Sequence, residues 1–306
     1  MADAGRARYS AAMKFALHAV GCGSTARPEV LGEVVRKAEA LGFESVWLPE
    51  HLIVPLEMRS PYPYSADGKF PGGATVALHD PFVALAYVAA CTERIKLGTG
   101  VFVLPLRNAV SVAKAAASLD VLSNGRFLFG VGVGWLADEF EAAGMPFADR
   151  AARAREAIRL MRTLWSEDTP SFAGRFHQVP PSGFSPKPVQ QPGPPIILGG
   201  ETPAALRRAA ALGDGWIGVS HTPDSLRPLL ATLREHLAAA GRSAEGFEIS
   251  VGTAPGVRLD RDTIRAFAAA GVHRLFAFSP GFVPRSKMAS DLYPAMERFA
   301  AEHIGA

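Results

Sequence analysis

Histidines at the ends of apolar segments are the first candidates for chemistry in this sequence. The segment SVWLPEH ends in Glu50 and His51, and imidazole is the side chain that transfers protons most readily near neutral pH. Adjacent residues of a strand point to opposite faces, so we expect His51 to face a site while Glu50 orients a neighbouring group; a simple loop cap is the alternative for His51. His18, inside the first apolar segment, and His221, after a later one, are candidates for a substrate pocket. Their alternatives are a core position for His18 and a solvent position for His221.

The segment FLFGVGVGW, residues 127–135, carries glycines at alternate positions. A dinucleotide fingerprint requires G-x-G-x-x-G after the first strand, whereas Gly130, Gly132 and Gly134 are spaced G-x-G-x-G and lie well inside the chain. Glycine has no Cβ and lets backbone approach a flat ligand closely, with tight packing in the absence of a ligand as the alternative. Neighbouring segments carry glycines at the same end, namely Gly98, Gly100, Gly199 and Gly200. We therefore expect a planar ligand to lie across three adjacent strands.

The segment GGETPAAL places two glycines directly before a helix that begins near Thr202. Free backbone N–H groups at a helix start attract phosphate, but the carboxylate of Glu201 opposes an anion there, so the sequence leaves phosphate binding open. Trp135 follows the alternating glycines, and we expect it either to wall a pocket or to pack in the core. The sequence shows no metal-ligand spacing and no G-x-S-x-G nucleophile motif.

Short apolar segments alternate with longer amphipathic ones, and this alternation predicts the elements that position these residues. The short segments are typical of strands buried on both faces, and the longer ones have the period of helices. Eight strands, each followed by a helix, in a chain of 306 residues predict an α/β fold, a (β/α)8 TIM barrel. The predicted strands are residues 14–20, 45–51, 95–105, 126–134, 194–200, 214–220, 247–252 and 273–280.

Two long insertions interrupt this repeat, residues 52–79 after the second strand and residues 166–193 before the fifth. The first leaves the carboxyl end of a strand, where barrels carry their active sites, and we expect it to be a lid. The second is expected to be either a surface excursion or a part of the site. We interpret residues 1–12 as a disordered tail and residues 13–306 as a single domain.

Composition argues against several classes of function. The net charge is +3, from 32 basic and 29 acidic residues, and the basic residues form no run, so we expect no nucleic-acid partner. No apolar segment approaches the roughly 20 residues of a membrane span, and the amino terminus has no apolar signal region, so we expect no membrane partner and a cytoplasmic protein. Cys22 and Cys91 are expected to be buried thiols. The Ala, Gly, Pro and Arg content favours a bacterial source.

Several blocks of this sequence resemble, in order, the bacterial luciferase-like oxidoreductases. They are SVWLPEH, DPFVALAYVAACTERIKLGTG, LGTGVFVLPLRNAVSVAKAAASLDVLSNGRFLFGVGVGWLADEF, PKPVQQPGPPIILGG and AAALGDGWIGV, and the match spans about residues 14–252. The resemblance is to the branch that uses the deazaflavin coenzyme F420, and it implies a (β/α)8 barrel with F420 as cofactor. It further implies an oxidoreductase that transfers a hydride between the deazaflavin and a small molecule.

The resemblance also implies roles for individual residues. His51 matches the histidine beside the reactive carbon of the deazaflavin, where it donates a proton, and Glu50 matches an acid that contacts the ring. Gly100 and Val101 match a bulge after the third strand, often with a non-proline cis peptide, that backs the ring. Further cofactor contacts are implied at Val103, Val133, Gly134 and Asp138, and phosphate contacts at Gly199, Gly200 and Thr202.

Trp135 departs from the pattern of relatives that oxidise a sugar phosphate, because those carry Glu at this position as the base opposite the histidine. A tryptophan there implies an apolar or aromatic substrate. Two other functions stay open: a monooxygenase of the same fold that uses reduced FMN and O2, and a non-catalytic flavin-binding protein, since the clear candidate base is replaced. The resemblance also implies a homodimer formed through helices of the second and third units, near residues 84–90 and 113–119.

Overall fold

The strands of the chain close into a barrel with helices on its outside, as seen in a computed structural model that describes residues 13–65 and 67–305. The tail expected for residues 1–12 lies outside the described residues. The strands are β1 Lys14–Leu17, β2 Ser45–Leu48, β3 Lys96–Thr99, β4 Phe102–Val103, β5 Phe127–Gly132, β6 Phe172–Ala173, β7 Gln178–Val179, β8 Ile196–Gly199, β9 Gly215–His221, β10 Glu248–Thr253 and β11 Arg274–Phe278. The α-helices are α1 Pro28–Ala40, α2 Pro81–Cys91, α3 Ala109–Leu122, α4 Ala137–Ala142, α5 Arg150–Ser166, α6 Pro203–Leu212, α7 Pro223–Ala239, α8 Arg261–Ala270 and α9 Tyr293–His303.

The barrel strands pair in parallel in the order β3–β2–β1–β11–β10–β9–β8–β5, and pairing of β5 with β3 closes the ring. β4 extends the third unit along β5, while β6 and β7 form a separate antiparallel hairpin. The predicted (β/α)8 fold is confirmed, and the eight barrel strands fall on the eight predicted segments to within one residue at the outer limits.

Local sequence explains where several helices begin. Asp80, Asn108, Thr202 and Asp260 each accept a hydrogen bond from a backbone N–H in the first turn of the helix that follows. Such an N-cap contributes about 1 kcal/mol, and a proline at the first helical position, as in α2 and α6, has no N–H that would need a partner there. None of the helices in the described ranges combines the length and the apolar character needed to cross a bilayer.

The interior of the barrel is a packed core rather than a channel. Its side chains come from six strands, with the fully buried Trp47 indole among them and the ring of Phe276 lying 5.5 Å from it between centroids. A larger apolar cluster fills the layer between the strands and the helices. The ligand site of a barrel filled in this way lies at its end, where the strands finish.

Several strand glycines make room for protein groups. A Cβ on Gly98 would overlap the Trp47 indole, and one on Gly130 would overlap the backbone of β3. A Cβ on Gly132 would lie 2.7 Å from Cγ2 of Val101, closer than real contacts allow. At these three positions the expectation of a flat ligand beside bare backbone is wrong, because closure of the barrel brings neighbouring protein atoms against them.

The third predicted strand, residues 95–105, is divided in the structure. β3 ends at Thr99, the Gly100–Val101 peptide bond is cis, and the strand resumes as β4 at Phe102. The bulge and the non-proline cis peptide that the family resemblance implied are thus confirmed as geometry.

The amino-terminal end of the barrel, which we call the floor, is tied together by Arg274. Its guanidinium is fully buried and donates to Glu44 through Nε and Nη2, at 2.8 and 2.9 Å. It also lies 2.8 Å from Glu248 and donates to Ser250 at 2.9 Å. Every nitrogen of this guanidinium therefore has a partner on β10 or just before β2.

The second insertion packs near the floor. The side-chain amide of Gln190 donates to Asp120 at 2.6 Å and to the carbonyl of Phe127, the first residue of β5, at 2.8 Å. Lys187 donates to the carbonyl of Leu164 near the end of α5, at 2.7 Å. The surface excursion is confirmed for these residues of the insertion, and the alternative of a role in the site is wrong for them.

Candidate active site

His51 follows β2 at the carboxyl-terminal end of the barrel, which we call the mouth, and a carboxylate from α4 holds its ring. Nδ1 of His51 lies 3.0 Å from Oε2 of Glu139, and Oε1 of Glu139 accepts from the backbone N–H of Leu52. The His51 and Glu139 side chains are 8% and 1% exposed. An ionised carboxylate only accepts, so this contact suits a histidine that carries its proton on Nδ1. The second ring nitrogen, Nε2, has no hydrogen-bond partner among the described residues.

Two aromatic side chains pack against the His51 ring, one from the first insertion, residues 52–79, and one from the segment after β5. Phe70 lies edge-on at 4.9 Å between centroids, and Trp135 lies edge-on at 5.8 Å. Tyr62 contacts both Phe70 and Trp135, each at 5.4 Å, and burial raises its pKa to about 12. The insertion therefore lies over His51, as expected of a lid, and Trp135 forms one wall beneath it.

Glu50 is engaged in an ion pair of its own. Its carboxylate contacts the guanidinium of Arg107 and accepts from the backbone N–H of Val103 at 2.6 Å. Burial raises the pKa of Glu50 to about 7, although Arg107 and the Val103 N–H act to lower it, and the charge of Glu139 adds to the rise. The Glu50 side chain has 0% of its surface exposed in this structure. Its contact with a cofactor ring therefore stays a prediction.

His18 lies just after β1, beside the cis peptide. Its Nε2 donates to the carbonyl oxygen of Gly100 at 2.8 Å, and its ring lies 5.3 Å from that of Phe276. Burial lowers the pKa of His18, and the bond to Gly100 only partly opposes this. A neutral histidine thus supports the backbone next to Val101; its contact with a substrate stays a prediction.

Three arginines gather between the ends of β5 and β8. Nε of Arg150 donates to the carbonyl of Gly134 at 3.0 Å. Arg208 is only 7% exposed, and a Cβ on Gly200 would lie 3.9 Å from its Nη2. Burial lowers the pKa of Arg208, and the charges of Arg155 and Arg150 lower it further. Within the described part of the chain no carboxylate pairs with these arginines and Nε of Arg208 has no partner, so the cluster is suited to an anion.

The Glu201 carboxylate, whose charge argued against anion binding in the sequence, is hydrogen-bonded to residues of β9. It accepts from Nε2 of His221 and from the backbone N–H of Val219, both at 2.9 Å. Burial raises the pKa of Glu201, but these bonds and the charge of His221 lower it overall. The solvent alternative for His221 is wrong, since the residue is 6% exposed; its place in a substrate pocket stays a prediction.

The remaining expected cofactor residues lie along the same rim. Val133 and Gly134 directly follow β5, and Thr202 caps α6 by accepting from the N–H of Ala205 at 3.2 Å. Asp138 of α4 contacts Arg59 of the lid, and its role as a cofactor contact stays a prediction. Gly199 ends β8, while Gly200 has a φ of 106°, a left-handed conformation that favours glycine.

Glu139 is the functional candidate that reasoning from the sequence missed. The sequence drew attention to Asp138, its neighbour, whereas the buried carboxylate beside His51 belongs to Glu139. A signal was present: Leu136 is buried, and position 139 follows it at the spacing i, i+3. Arg107, Arg208 and the lid aromatics gave no comparable local signal.

Comparison with known proteins agrees with this geometry. The family model described as luciferase-like monooxygenase matches residues 13–304. An uncharacterized protein of Mycobacterium tuberculosis is 36% identical over 229 residues, which cover 74% of this chain and 77% of that protein. The F420-dependent glucose-6-phosphate dehydrogenase of Kineococcus radiotolerans is 35% identical over 222 residues, 71% of this chain and 60% of that protein.

Among solved structures, an F420-dependent secondary alcohol dehydrogenase in complex with an F420–acetone adduct superposes with a TM-score of 0.72 at 18% identity, over 95% of this chain and 98% of that one. At that identity the likeness shows the fold. The match of the family model over nearly the whole chain shows more: the chain belongs to the luciferase-like monooxygenase family and is an enzyme of the oxidoreductase class.

Proposed function

We propose that this chain is a coenzyme F420-dependent oxidoreductase that moves a hydride between the deazaflavin and a small apolar or aromatic molecule. Two relatives named as F420-dependent glucose-6-phosphate dehydrogenases, 35% and 31% identical, support the choice of cofactor. The observation that carries the proposal is the mouth, where His51 and Glu139, covered by the lid, share one rim with an arginine cluster that no carboxylate of the described residues pairs.

The residues present fit a cofactor with a phosphate. Arg208 is nine-tenths buried with an unpaired Nε, and its Nη2 lies near Gly200 at the start of α6. A phosphate there would satisfy the orphaned donor and offset the mutual repulsion of the arginines. Gly199, Gly200 and Thr202 would border the phosphate, and Gly100 with Val101 would back the ring.

When bound, F420 supplies hydride transfer at its central ring, and this chain supplies position, proton and shelter. His51 takes up or releases a proton at Nε2, the ring nitrogen that no described residue engages. The lid, with Phe70 against the His51 ring and Tyr62 packed on Phe70, would exclude water from the place where hydride and proton move.

Trp135 supports an apolar or aromatic substrate. Its indole lies against both the His51 and the Tyr62 rings, so a substrate that reaches His51 meets aromatic surface. A sugar phosphate, which the named dehydrogenases act on, would place hydroxyl groups against this wall without hydrogen-bond partners. We therefore expect the dehydrogenase relatives to share the cofactor with this chain but not the substrate.

The family description favours a second candidate, a monooxygenase that uses reduced FMN and O2. The arginine cluster fits the FMN phosphate as well, so the cofactors must be compared directly. Purified protein titrated with F420 and with FMN, each oxidised and reduced, is expected to bind F420 more tightly, measured by fluorescence quenching. Tight FMN binding without F420 binding would contradict the proposed F420-dependent function. Binding of either without turnover over a broad substrate panel would favour a non-catalytic flavin-binding protein.

Two variants of the same helix test the placement of the phosphate beside Arg208. R208M is expected to weaken F420 binding by about 10–100-fold, the value of a charge-assisted hydrogen bond to a phosphate. R207M removes the exposed neighbouring charge on the same helix and is expected to change affinity less than about threefold. Equal effects of the two variants would contradict the assignment of Arg208.

A cytoplasmic homodimer completes the proposal. Val83 and Tyr87, one turn apart on α2, are 71% and 39% exposed and form the kind of apolar surface that a second copy covers. The Ala-rich faces expected to pair lie mostly inward, since Ala113, Ala116 and Ala117 are fully buried. Sedimentation equilibrium of the wild type and of V83E is expected to give a dimer and a monomer, respectively.

A further inference from the structure

His51 is fixed at one ring nitrogen and open at the other. Nδ1 lies 3.0 Å from Glu139, while Nε2 has no partner within the described ranges and keeps some accessible surface. The rings of Phe70 and Trp135 lie nearly perpendicular to the His51 ring, at 4.9 and 5.8 Å between centroids. A ring held in this way has one free position for exchanging a proton with a ligand.

Glu139 is placed to decide which nitrogen that is. Its carboxylate is 1% exposed, and its two oxygens bond to consecutive residues, the His51 ring and the N–H of Leu52 at the start of the lid. Glu139 belongs to α4, so its position relative to β2 is set by tertiary packing, with Phe140 fully buried behind it. Both bonds are of the charge-assisted type, the stronger class.

We propose that Glu139 is the positioning residue of the site: it holds His51 in the tautomer with the proton on Nδ1, so that Nε2 is the nitrogen that exchanges protons with the substrate. This rests on the proposed function for the identity of the reaction. In neutral His51 the lone pair then lies on Nε2, and after uptake of a proton the imidazolium faces a carboxylate at its opposite side. No bond to Glu139 needs to break as the proton is gained or lost.

A role confined to anchoring the lid is the competing account, since Glu139 also accepts from the Leu52 N–H. The two accounts differ in the variant E139Q. A glutamine amide has one acceptor oxygen, so it keeps either the ring or the Leu52 N–H and faces the other with its NH2 group. Loss of a lid anchor alone would raise KM and leave the imidazole tautomer unchanged, whereas loss of ring positioning alters the tautomer and lowers kcat.

The test begins with protein labelled with 15N in its histidine rings and free of cofactor. Two-bond 1H–15N spectra are expected to show His51 with the proton on Nδ1, its signal assigned by its absence in H51A. The E139Q variant is expected to lose this pattern. The matched control E141Q, on the same helix with a 73% exposed side chain, is expected to keep it. A wild-type His51 with its proton on Nε2 would overturn the proposal, with no need for any variant to fold.

Turnover supplies the second readout. E139Q is expected to lower kcat by about 10²-fold, within the range of a general acid–base contribution, and H51A combined with E139Q is expected to be no slower than H51A alone. Additive losses in the double variant would contradict action through His51. Absence of F420 binding would defeat the proposed function, whereas the spectra of the cofactor-free protein would still measure the tautomer independently.

Discussion

Glu44 and Glu50 flank β2 at its two ends, each beside an arginine, and the two carboxyl groups have opposite properties. At the floor, burial raises the pKa of Glu44, but the hydrogen bonds and charge of Arg274 outweigh it and bring the value to about 2. At the mouth, burial of Glu50 outweighs Arg107 and the Val103 N–H, and the pKa is about 7. At neutral pH the glutamate at the floor is therefore ionised, whereas the glutamate at the mouth is close to its pKa.

The difference lies in how completely each arginine and carboxylate are satisfied. Arg274 uses its whole guanidinium on Glu44, Glu248 and Ser250, and each of its nitrogens has a partner. At the mouth, Glu139 and Asp80 add negative charge beside Glu50, and Arg107 divides its guanidinium between Glu50 and Asp80. A barrel separates stability and chemistry in this way, with the chemistry at the carboxyl ends of its strands.

The largest effect is expected from H51A, which tests the chemical end. If His51 transfers a proton, kcat falls by about 10²–10⁴-fold, while the free energy of unfolding changes by no more than about 1–2 kcal/mol. Steady-state kinetics with the best substrate of a panel and urea unfolding check the two values. Unchanged kcat would leave His51 a structural residue.

The floor is tested by R274M. Removing the buried guanidinium leaves Glu44 with Lys96 and Glu248 with Lys14 as their remaining cationic partners, and the variant is expected to lose about 3 kcal/mol in the free energy of unfolding. Its kcat, measured where the protein is folded, should stay near that of the wild type. The control is R107M at the mouth, with a smaller loss of about 1–2 kcal/mol expected at pH 6, because Glu50 can be protonated there. Equal losses would break the comparison.

The two carboxyl groups predict opposite pH dependence of stability. The pKa of Glu44 is lowered from 4.5 to about 2. Glu44 therefore stabilises the fold above pH 4.5, and this contribution is lost as the pH falls through about 2. The pKa of Glu50 is raised from 4.5 to about 7. Glu50 therefore contributes stability below pH 4.5, and this contribution is lost as the pH rises through about 7. At about 1.4 kcal/mol per pH unit, each window corresponds to about 3 kcal/mol.

Unfolding of E44Q and E50Q at a series of pH values measures this. The destabilisation caused by E44Q should grow with rising pH between pH 2 and 4.5, and that caused by E50Q should shrink between pH 4.5 and 7. Parallel trends in the two variants would show that the ends of β2 do not differ as described.

The smallest effect is expected at the exposed edge of the mouth. Arg59 of the lid contacts Asp138 and Glu141, but its side chain is 65% exposed, and water and salt screen such ion pairs so that they contribute little. R59Q should therefore raise KM by less than about fivefold and leave kcat unchanged. R227Q, which removes an arginine 67% exposed on α7, is the control and should change neither. A loss of kcat in R59Q would mean that the lid contributes more than closure.

The sequence predicted the strands and helices, and of the site it predicted the part around His51. The strands, the capped helices such as those at Asp80 and Asn108, and the place of His51 at a strand end follow from patterns within a few residues. It could not find Arg208, because nothing near that residue distinguishes it from Arg207. It also assigned Gly98 and Gly130 to a ligand, since a missing Cβ does not reveal which group occupies the space.

What the sequence determined by itself is local: apolar periodicity, N-caps and chain order settle which segments are strands and helices, because these depend on neighbours along the chain. Tertiary structure alone decided the partners. Closure of the barrel places Trp47 against Gly98, brings α4 across to put Glu139 on His51, and sets Arg208 beside Arg150 and Arg155. Burial and pairing, which fix a pKa or leave a donor free, are properties of residues distant in sequence, so they exist only once the fold has formed.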